Sequence, residues 1–246
     1  MRTLGMFAKQ PVPGRVKTRL AADWGDGRAA ELYEAFVRDL LVRLDFRYRN
    51  EPDGEIHRVL GFAPDDEAAR SWFTDAAAGR WDLWPQPNED LGGRIAKFFA
   101  EHASKAGSSA VLIGSDSPTL PVTFILDAFY RLKSADVVIC PASDGGYCLI
   151  GLRSGFVSAS LFKGVDWSSA QVLGQTVERV RGLGLTLELL PIWYDVDSGD
   201  GVEMLRGHLA AIEVARHEEE LTGLKHTAEF LRETEPTSPS GLSMPG

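Results

Sequence analysis

The chain has 246 residues, a formal net charge of −9 and a sequence pI near 5.1, which argues against duplex nucleic acid or an anionic membrane as its main partner. Its hydrophobic content of 44% is enough for a sizeable core, and its two cysteines, Cys140 and Cys148, are too few for a disulfide framework and predict buried free thiols. It shows neither a signal peptide nor a stretch of membrane-spanning length, so we expect a cytoplasmic protein.

Apolar, β-branched runs recur along the chain and predict strands. In chain order they cover Thr3–Ala8, Arg58–Ala63, Trp81–Pro85, Ala110–Gly114, Asp136–Cys140, Tyr147–Leu152 and Thr186–Leu190. The fifth and sixth runs lie too close together for an intervening helix, so we expect one antiparallel pair there.

Amphipathic stretches between these runs predict helices. Their apolar faces are formed by Leu32, Phe36, Leu40 and Leu44, by Phe124, Ile125, Ala128, Phe129 and Leu132, and by Val202, Leu205, Leu209 and Ile212. Alternation of strands and helices indicates a mostly parallel sheet covered on both faces. We expect a single domain over residues 1–232 and a disordered tail over 233–246, which is rich in Pro, Ser and Gly.

A basic loop follows the first predicted strand. The first 22 residues hold five basic side chains and no acidic one, whereas the remainder holds 21 basic and 35 acidic ones. Prolines stiffen the loop, and a glycine lets it turn. Its candidate phosphate-binding residues are Lys9, Pro13, Gly14, Arg15, Lys17 and Arg19. Because open α/β sheets bind ligands at the carboxyl ends of strands, the loop predicts a nucleotide site, the alternative being a solvated basic loop.

Asp116 directly follows the fourth predicted strand, within the segment Gly114–Pro118. A carboxylate at the carboxyl edge of a central strand can hold Mg²⁺ or Mn²⁺ against substrate phosphates. The alternative is an aspartate that caps a turn or the next helix.

Two aspartates late in the chain are candidates for the same site. In an extended segment Asp195 and Asp197 point to the same side, so one or both could complete a metal site with Asp116. Helix capping by Asp197 or Ser198 is the alternative, and both interpretations can hold together.

Three further loops carry polar or aromatic groups. In the segment Ser143–Tyr147, Asp144 is a candidate acid/base or hydroxyl-binding group, although Asp-Gly is also a common hairpin turn. The polar loop over residues 85–94 opens a predicted helix and could read a base edge, or Asp90 could simply cap that helix. Trp167 could contact an acceptor, whereas its neighbour Ser168 is more simply a helix cap.

Together, these segments resemble a known family. FAKQPVPGRVKTRL, GSDSPTLP, SDGGYCLIGL, DWSS and DVDS are similar to an uncharacterised bacterial family of the glycosyltransferase-A-like superfamily, often labelled nucleotide-diphospho-sugar transferases. The likeness implies a single three-layer α/β/α nucleotide-binding domain with a mostly parallel mixed sheet. One departure is that many such glycosyltransferases carry Asp-x-Asp where this chain has Ser115-Asp116-Ser117, and a lone aspartate is closer to nucleotidyltransferases.

The resemblance also implies roles for individual residues. Lys17 and its neighbours would hold the donor phosphates, and Asp116 would bind Mg²⁺ or Mn²⁺ with Asp197 as second ligand. Gln86 and Gly92 would lie near the base. The segments that would face the acceptor supply Gly145, Gly146, Tyr147, Trp167 and Ser168, and the candidate catalytic residues are Lys17, Asp116 and Asp144.

Our hypothesis is a metal-dependent transferase that uses a nucleotide-activated donor, in glycosyl or nucleotidyl transfer to a small-molecule acceptor. A non-catalytic nucleotide-binding module and a hydrolase of nucleotide sugars, with water acting at Asp144, are the alternatives. We expect no nucleic-acid partner and no membrane span, and the sequence leaves the base, the sugar, the acceptor and the oligomeric state open.

Overall fold

A mixed β-sheet forms the centre of the molecule. The computed structural model describes residues 1–45, 55–155 and 159–234. Within those ranges seven strands lie in the order β3-β2-β1-β4-β6-β5-β7. They are β1 Arg2–Lys9, β2 Ile56–Ala63, β3 Asp82–Pro85, β4 Ser109–Ile113, β5 Val137–Pro141, β6 Tyr147–Arg153 and β7 Leu187–Leu189. Each overlaps a strand predicted from the sequence, so those predictions are confirmed.

Helices connect most of the strands. In the described ranges they are α1 Thr18–Trp24, α2 Asp26–Arg43, α3 Glu67–Ala77, α4 Leu91–His102, α5 Val122–Arg131, α6 Val172–Gly182, α7 Gly199–Val214, α8 Glu218–Thr222 and α9 Lys225–Glu233. The three predicted apolar faces belong to α2, α5 and α7, and their side chains are buried as expected, apart from the half-buried Phe124.

The direction of the strands decides where the functional segments meet. Strand β6 is antiparallel to both β4 and β5, which confirms the predicted antiparallel pair, and the other neighbouring pairs are parallel. Strands β1, β2, β3, β4, β5 and β7 therefore end at one edge of the sheet. The basic loop, Gln86, Asp116, Asp144 and Asp197 all follow one of these ends, so topology gathers the predicted site at one edge.

Two separate cores cover the faces of this sheet. On one face Met6 of β1 packs in a cluster with Phe36 of α2 and Leu205 of α7. On the other face Leu112 of β4 packs in a cluster with Phe98 of α4. Burying a side chain such as Phe98 contributes roughly 1.5–3 kcal/mol to stability. The predicted three-layer arrangement with a mostly parallel sheet is confirmed.

Other predictions from the sequence have different outcomes. Cys140 and Cys148 are buried free thiols, as expected, with their Sγ atoms 3.3 Å apart. The predicted disordered tail falls almost entirely on residues 235–246, which lie outside the described residues, and the single-domain prediction stays a prediction. No helix in the described part of the chain combines the length and the apolarity that crossing a bilayer requires.

Candidate active site

Lys17 lies near the middle of the sheet edge, between the segments that follow β4 and β7. Its Nζ donates hydrogen bonds to Oδ1 of Asp116 and, over 2.7 Å, to Oδ1 of Asp197. The Lys17 side chain is 2% exposed, whereas those of Asp116 and Asp197 are 46% and 41% exposed. Burial alone would lower the pKa of Lys17, but the two carboxylates outweigh it and raise that pKa, so the ammonium stays charged.

The local sequence explains how Lys17 reaches this position. Gly14 has a φ of +76°, which a glycine adopts without strain and which turns the loop back towards the sheet. Val16 and Leu20 are buried and anchor the loop on either side of Lys17. Lys17 itself precedes α1 with a φ of +49°, a left-handed conformation that non-glycine residues seldom adopt. Such backbone strain is maintained only where surrounding contacts fix the residue.

Tyr33 of α2 joins the end of β1 to the segment after β4. Its hydroxyl accepts a hydrogen bond of 3.0 Å from the Lys9 backbone N–H and lies 2.6 Å from the Ser115 hydroxyl. The Lys17 Nζ lies 5.5 Å from the ring centroid of Tyr33 and 5.7 Å from that of Phe36, in cation–π range. Burial raises the pKa of Tyr33 to about 12, so its hydroxyl stays protonated near neutral pH. Sequence analysis missed this role because the spacing of Tyr33 on α2 indicates only a core position.

The Asp116 segment is fixed by contacts from two distant parts of the chain. The Arg43 guanidinium, at the end of α2, donates to the carbonyl of Pro118 and, over 3.5 Å, to that of Leu120. The Val196 N–H donates to the Asp116 carbonyl over 2.9 Å. No motif in the sequence signals Arg43, because its partners become its neighbours only on folding.

Asp195 and Asp197 have different partners. The Asp195 carboxylate accepts a hydrogen bond from the Ser117 hydroxyl, whereas Asp197 contacts Lys17. Burial raises the pKa of Asp195 to about 6, the Ser117 hydroxyl opposes that shift, and nearby negative charges add to it. Those charges belong to Asp116, Asp144 and Asp197.

Asp195→Asn tests this raised pKa through the pH dependence of stability. A carboxyl group whose pKa is about 6 when folded, against 3.8 ordinarily, stabilises the fold fully below pH 3.8 and loses that contribution as pH rises through 6. We expect the variant to gain about 2 kcal/mol in unfolding free energy relative to the natural protein between pH 4 and pH 7, measured by urea unfolding. Exposed Asp200 supplies the control Asp200→Asn, whose difference from the natural protein should stay constant. If the unfolding free energies of both variants ran parallel to that of the natural protein across this pH range, the raised pKa of Asp195 would be contradicted.

A cavity of about 940 Å³ opens at the same edge, beside the ends of β1, β2 and β3. Its charged lining residues are Lys9, Arg15, Asp65, Arg94, Lys97 and Glu101, so cations outnumber acids. Its size suits a nucleotide-sized ligand. Of the predicted nucleotide-binding residues, Lys9, Arg15 and Gln86 line it. The others, Pro13, Gly14, Lys17, Arg19 and Gly92, lie outside the lining.

Gln86 lines this cavity with its amide already engaged. The Nε2 group donates to the Gly61 carbonyl over 2.7 Å and, more weakly, to the Ala8 carbonyl over 3.4 Å. Its Oε1 accepts from Arg94 over 3.4 Å. Gln86 therefore ties β1 and β2 together at the cavity floor, and base recognition by its amide group would require these hydrogen bonds to break.

Gly92 packs closely against Phe162 and Trp167, and its predicted place near the base stays a prediction. A Cβ at Gly92 would lie 2.6 Å from the Phe162 carbonyl oxygen and 2.7 Å from the Trp167 Nε1, so the glycine permits close packing on Trp167. The Trp167 ring in turn packs edge-on against Tyr147, with centroids 6.4 Å apart. The predicted cap role of Ser168 is wrong, since Ser168 has a φ of +68° and α6 begins further along the chain.

The turn between β5 and β6 contains Asp144, Gly145 and Gly146. The Asp144 Oδ1 accepts from the Gly146 N–H over 2.9 Å, and the predicted hairpin turn is confirmed. Gly145 has a φ of +92°, and a Cβ there would lie 2.4 Å from the Ala170 carbonyl oxygen. The turn therefore packs directly on the segment that precedes α6, and its Asp144 side chain remains exposed.

Helix capping was the alternative for several of the candidate acids. Asp90 accepts from the Gly93 N–H over 2.7 Å and caps α4, and Ser198 accepts from the Gly201 N–H over 3.4 Å and caps α7. Both caps are therefore confirmed, and Asp197 remains free to contact Lys17. Asp116 does not cap α5, whose first turn follows Pro121.

Asp116 and Asp197 already bind a cation, the ammonium of Lys17. Carboxylate oxygens are the ligands that Mg²⁺ prefers, and it is commonly held by one or two carboxylates together with substrate phosphates. Over residues 1–45, 55–155 and 159–234, no three His, Cys, Asp or Glu side chains form a ready-made metal cluster. The pair therefore fits a divalent cation that takes its remaining ligands from a substrate and water.

Sequence comparisons match this chain to a family model and to a named enzyme. A family model described as "Uncharacterized protein conserved in bacteria (DUF2064)" matches residues 50–169. A 3-phospho-D-glycerate guanylyltransferase from Phenylobacterium zucineum (strain HLK1) is 30% identical over 197 residues, covering 78% of this chain and 84% of the relative.

Solved structures share the fold. One from Desulfovibrio desulfuricans G20, provisionally described as a nucleotide-diphospho-sugar transferase, matches with a TM-score of 0.77 and 29% identity, covering 94% of this chain and 97% of that chain. A nucleotidyl transferase from Methanothermobacter thermautotroptrophicus matches with a TM-score of 0.50 and 14% identity, covering 85% of this chain and 97% of that chain. The second likeness concerns the fold alone.

Proposed function

Because the chain belongs to the glycosyltransferase-A-like superfamily, in the uncharacterised bacterial family of nucleotide-diphospho-sugar transferases, we propose that it is a metal-dependent nucleotidyltransferase. It is a transferase that acts from a nucleotide-activated donor, as the motifs predicted. The finer proposal is guanylyl transfer from GTP to a phosphorylated carboxylic acid, in line with the relative named as a 3-phospho-D-glycerate guanylyltransferase.

The observation that carries this proposal is the contact of Lys17 with Asp116 and Asp197 at the sheet edge where the cavity with its cationic side chains opens. Lys9 and Arg15 stand at the cavity wall and would neutralise the outer phosphates of the donor. Asp116 and Asp197 would hold Mg²⁺ or Mn²⁺, which supplies charge stabilisation to the phosphates when bound.

The proposed reaction is an in-line displacement at phosphorus. An oxygen of the acceptor phosphate forms a bond to the α-phosphorus, and the bond from that phosphorus to the oxygen bridging to the β-phosphate breaks. Pyrophosphate leaves with the electron pair, and Lys17 would stabilise the charge that develops on it. Gly145, Gly146, Tyr147, Trp167 and Ser168 would form the acceptor side, with Asp144 oriented towards acceptor hydroxyls.

The neighbours of Asp116 favour nucleotidyl over glycosyl transfer. In this chain Ser115 and Ser117 occupy the positions beside it, and each hydroxyl has a structural partner, Tyr33 and Asp195 respectively. The site thus has one aspartate at this strand end instead of an Asp-x-Asp pair. Glycosyl transfer is the second candidate, because the relative at 29% identity is described as a nucleotide-diphospho-sugar transferase.

The leaving group separates these candidates. Incubation with GTP, 3-phospho-D-glycerate and Mg²⁺ should release pyrophosphate and form a guanylylated acid. A coupled assay measures the pyrophosphate, and mass spectrometry detects the guanylylated acid. Glycosyl transfer would instead release a nucleoside diphosphate from a nucleotide sugar, and a hydrolase would release free sugar without an acceptor. Tight GTP binding with no product from any phosphorylated acid would favour a non-catalytic module.

Arg15→Met tests the phosphate-binding role of the cavity wall. We expect GTP with Mn²⁺ to raise the Tm of the natural protein, and the variant to bind GTP about tenfold more weakly, equivalent to about 1.4 kcal/mol. Thermal shift across a GTP titration gives both values. Lys105→Met is the matched control, because Lys105 is exposed before β4 at the opposite sheet edge. If Arg15→Met and Lys105→Met bound GTP equally tightly, the donor phosphates would not lie at this cavity wall.

A further inference from the structure

The Lys17 ammonium and a divalent cation would compete for the same two carboxylates. Lys17 Nζ contacts Oδ1 of Asp116 and Oδ1 of Asp197, and these are the carboxylates that the proposed function assigns to the metal. The two carboxylates are 46% and 41% exposed, so a cation from solvent has access to them. The ammonium, with 2% of its side chain exposed, closes the inner side of the pair.

The position of Lys17 in the free protein is supported independently of any ligand. Its Nζ lies over the rings of Tyr33 and Phe36, at 5.5 Å and 5.7 Å from their centroids. Both rings belong to α2 and are fixed in the core, Phe36 fully buried and Tyr33 bonded to Ser115. Two aromatic faces and two carboxylates therefore form a complete ammonium site, which the protein fills with its own side chain.

We propose that Lys17 is an exchangeable internal cation, an inference that rests on the proposed function. In the free protein it neutralises Asp116 and Asp197 and keeps them in position. When metal and nucleotide bind, Lys17 leaves the pair and its ammonium moves to the donor phosphates. Metal alone then binds weakly, because it must displace the ammonium from both carboxylates. Nucleotide phosphates offer the displaced ammonium a new anionic partner, so metal and nucleotide bind cooperatively.

Lys17→Met tests the exchange by metal binding without nucleotide. The apolar side chain keeps the volume of the lysine stem and removes the competing charge. If Lys17 vacates the pair in at most about one molecule in ten, the variant should bind Mn²⁺ at least about tenfold more tightly than the natural protein. Electron paramagnetic resonance of free Mn²⁺ measures both affinities, and circular dichroism checks the fold.

Lys105→Met is the matched control for this experiment, since it removes an exposed lysine at the opposite edge of the sheet. It should change the Mn²⁺ affinity by less than about twofold, because a distant surface charge is largely screened. Unchanged or weaker Mn²⁺ binding by Lys17→Met would overturn the exchange, because the metal would then use the outer oxygens with Lys17 in place.

A second measurement uses the natural protein and does not depend on a variant. Acetic anhydride labelling with peptide mass spectrometry reports how accessible the Lys17 amine is. Labelling of Lys17 should rise several-fold on addition of Mn²⁺, while labelling of Lys105 stays constant. Unchanged Lys17 labelling at saturating Mn²⁺ overturns the exchange and leaves the metal part of the proposed function standing. Failure of Mn²⁺ to bind either protein, with or without GTP, overturns both.

Discussion

Asp116→Asn should lower metal-dependent turnover by about 100-fold or more, the effect typical of removing one preorganised charged group from a reacting centre. The amide keeps an oxygen that accepts from Lys17, so the internal contact survives while the negative charge is lost. Asp197 still pairs with the buried Lys17 ammonium, so the substitution leaves no buried charge unpaired and we expect the fold to stay intact. Pyrophosphate release at saturating GTP, together with thermal melting, measures both expectations.

Asp200→Asn is the control for that loss. Asp200 is an exposed acid in the first turn of α7, close in sequence to Asp197 but without its contact to Lys17. Asp200→Asn should retain turnover within about twofold, because solvent and salt screen an exposed surface charge and it contributes little to catalysis. Turnover by Asp116→Asn equal to that of Asp200→Asn would show that Asp116 does not hold the catalytic cation.

Gly145→Ala should be among the most destabilising single substitutions in this chain. The new Cβ would lie 2.4 Å from the Ala170 carbonyl oxygen and 2.7 Å from the Ala170 Cα, both backbone atoms that cannot rotate away. The residue also keeps a φ of +92°, which an alanine adopts only with strain. Overpacking of about 1–3 kcal/mol and backbone strain of about 1–2 kcal/mol together predict a loss of about 3–4 kcal/mol, or roughly 10 °C in Tm.

Gly155→Ala separates the two contributions. Gly155 has a φ of +90°, close to that of Gly145, but a Cβ there would meet nothing within 4 Å. It should lose only the strain contribution, about 1–2 kcal/mol. Chemical unfolding of both variants gives the difference, which is the contribution of the clash with Ala170. Equal losses would mean that the turn at Gly145 can move away from the segment before α6.

Local patterns were sufficient for the strands and helices. Each of the seven strands is an apolar run, and the period of the α2, α5 and α7 faces matches the sides they bury. The direction of β6 followed from the short connection to β5, which leaves no room for a crossover helix. Segments such as GSDSP were located because a polar residue after a buried strand stands out in the sequence.

Contacts between segments that are distant in the sequence could not be predicted from local patterns. Asp116 and Asp197 were proposed as a pair from their residue type, but nothing local shows that the buried Lys17 joins them. Tyr33 and Arg43 gave no signal, since a core tyrosine and a helix-end arginine are ordinary. The hydrogen bonds of Gln86 were likewise unpredictable, because only the β1–β2 pairing brings their acceptor carbonyls together.

The sequence by itself determined the secondary structure, the three-layer class and the sheet edge at which the polar motifs gather, because periodicity and strand ends are properties of short segments. The tertiary structure decided which of those motifs touch. Lys17 and Asp116 are about a hundred residues apart along the chain, and Asp116 and Asp197 are eighty-one residues apart. The contact among them depends on strand order and loop packing. Electrostatic coupling acts over a few ångströms in space, so the charge state and partners of Lys17 exist only in the folded chain.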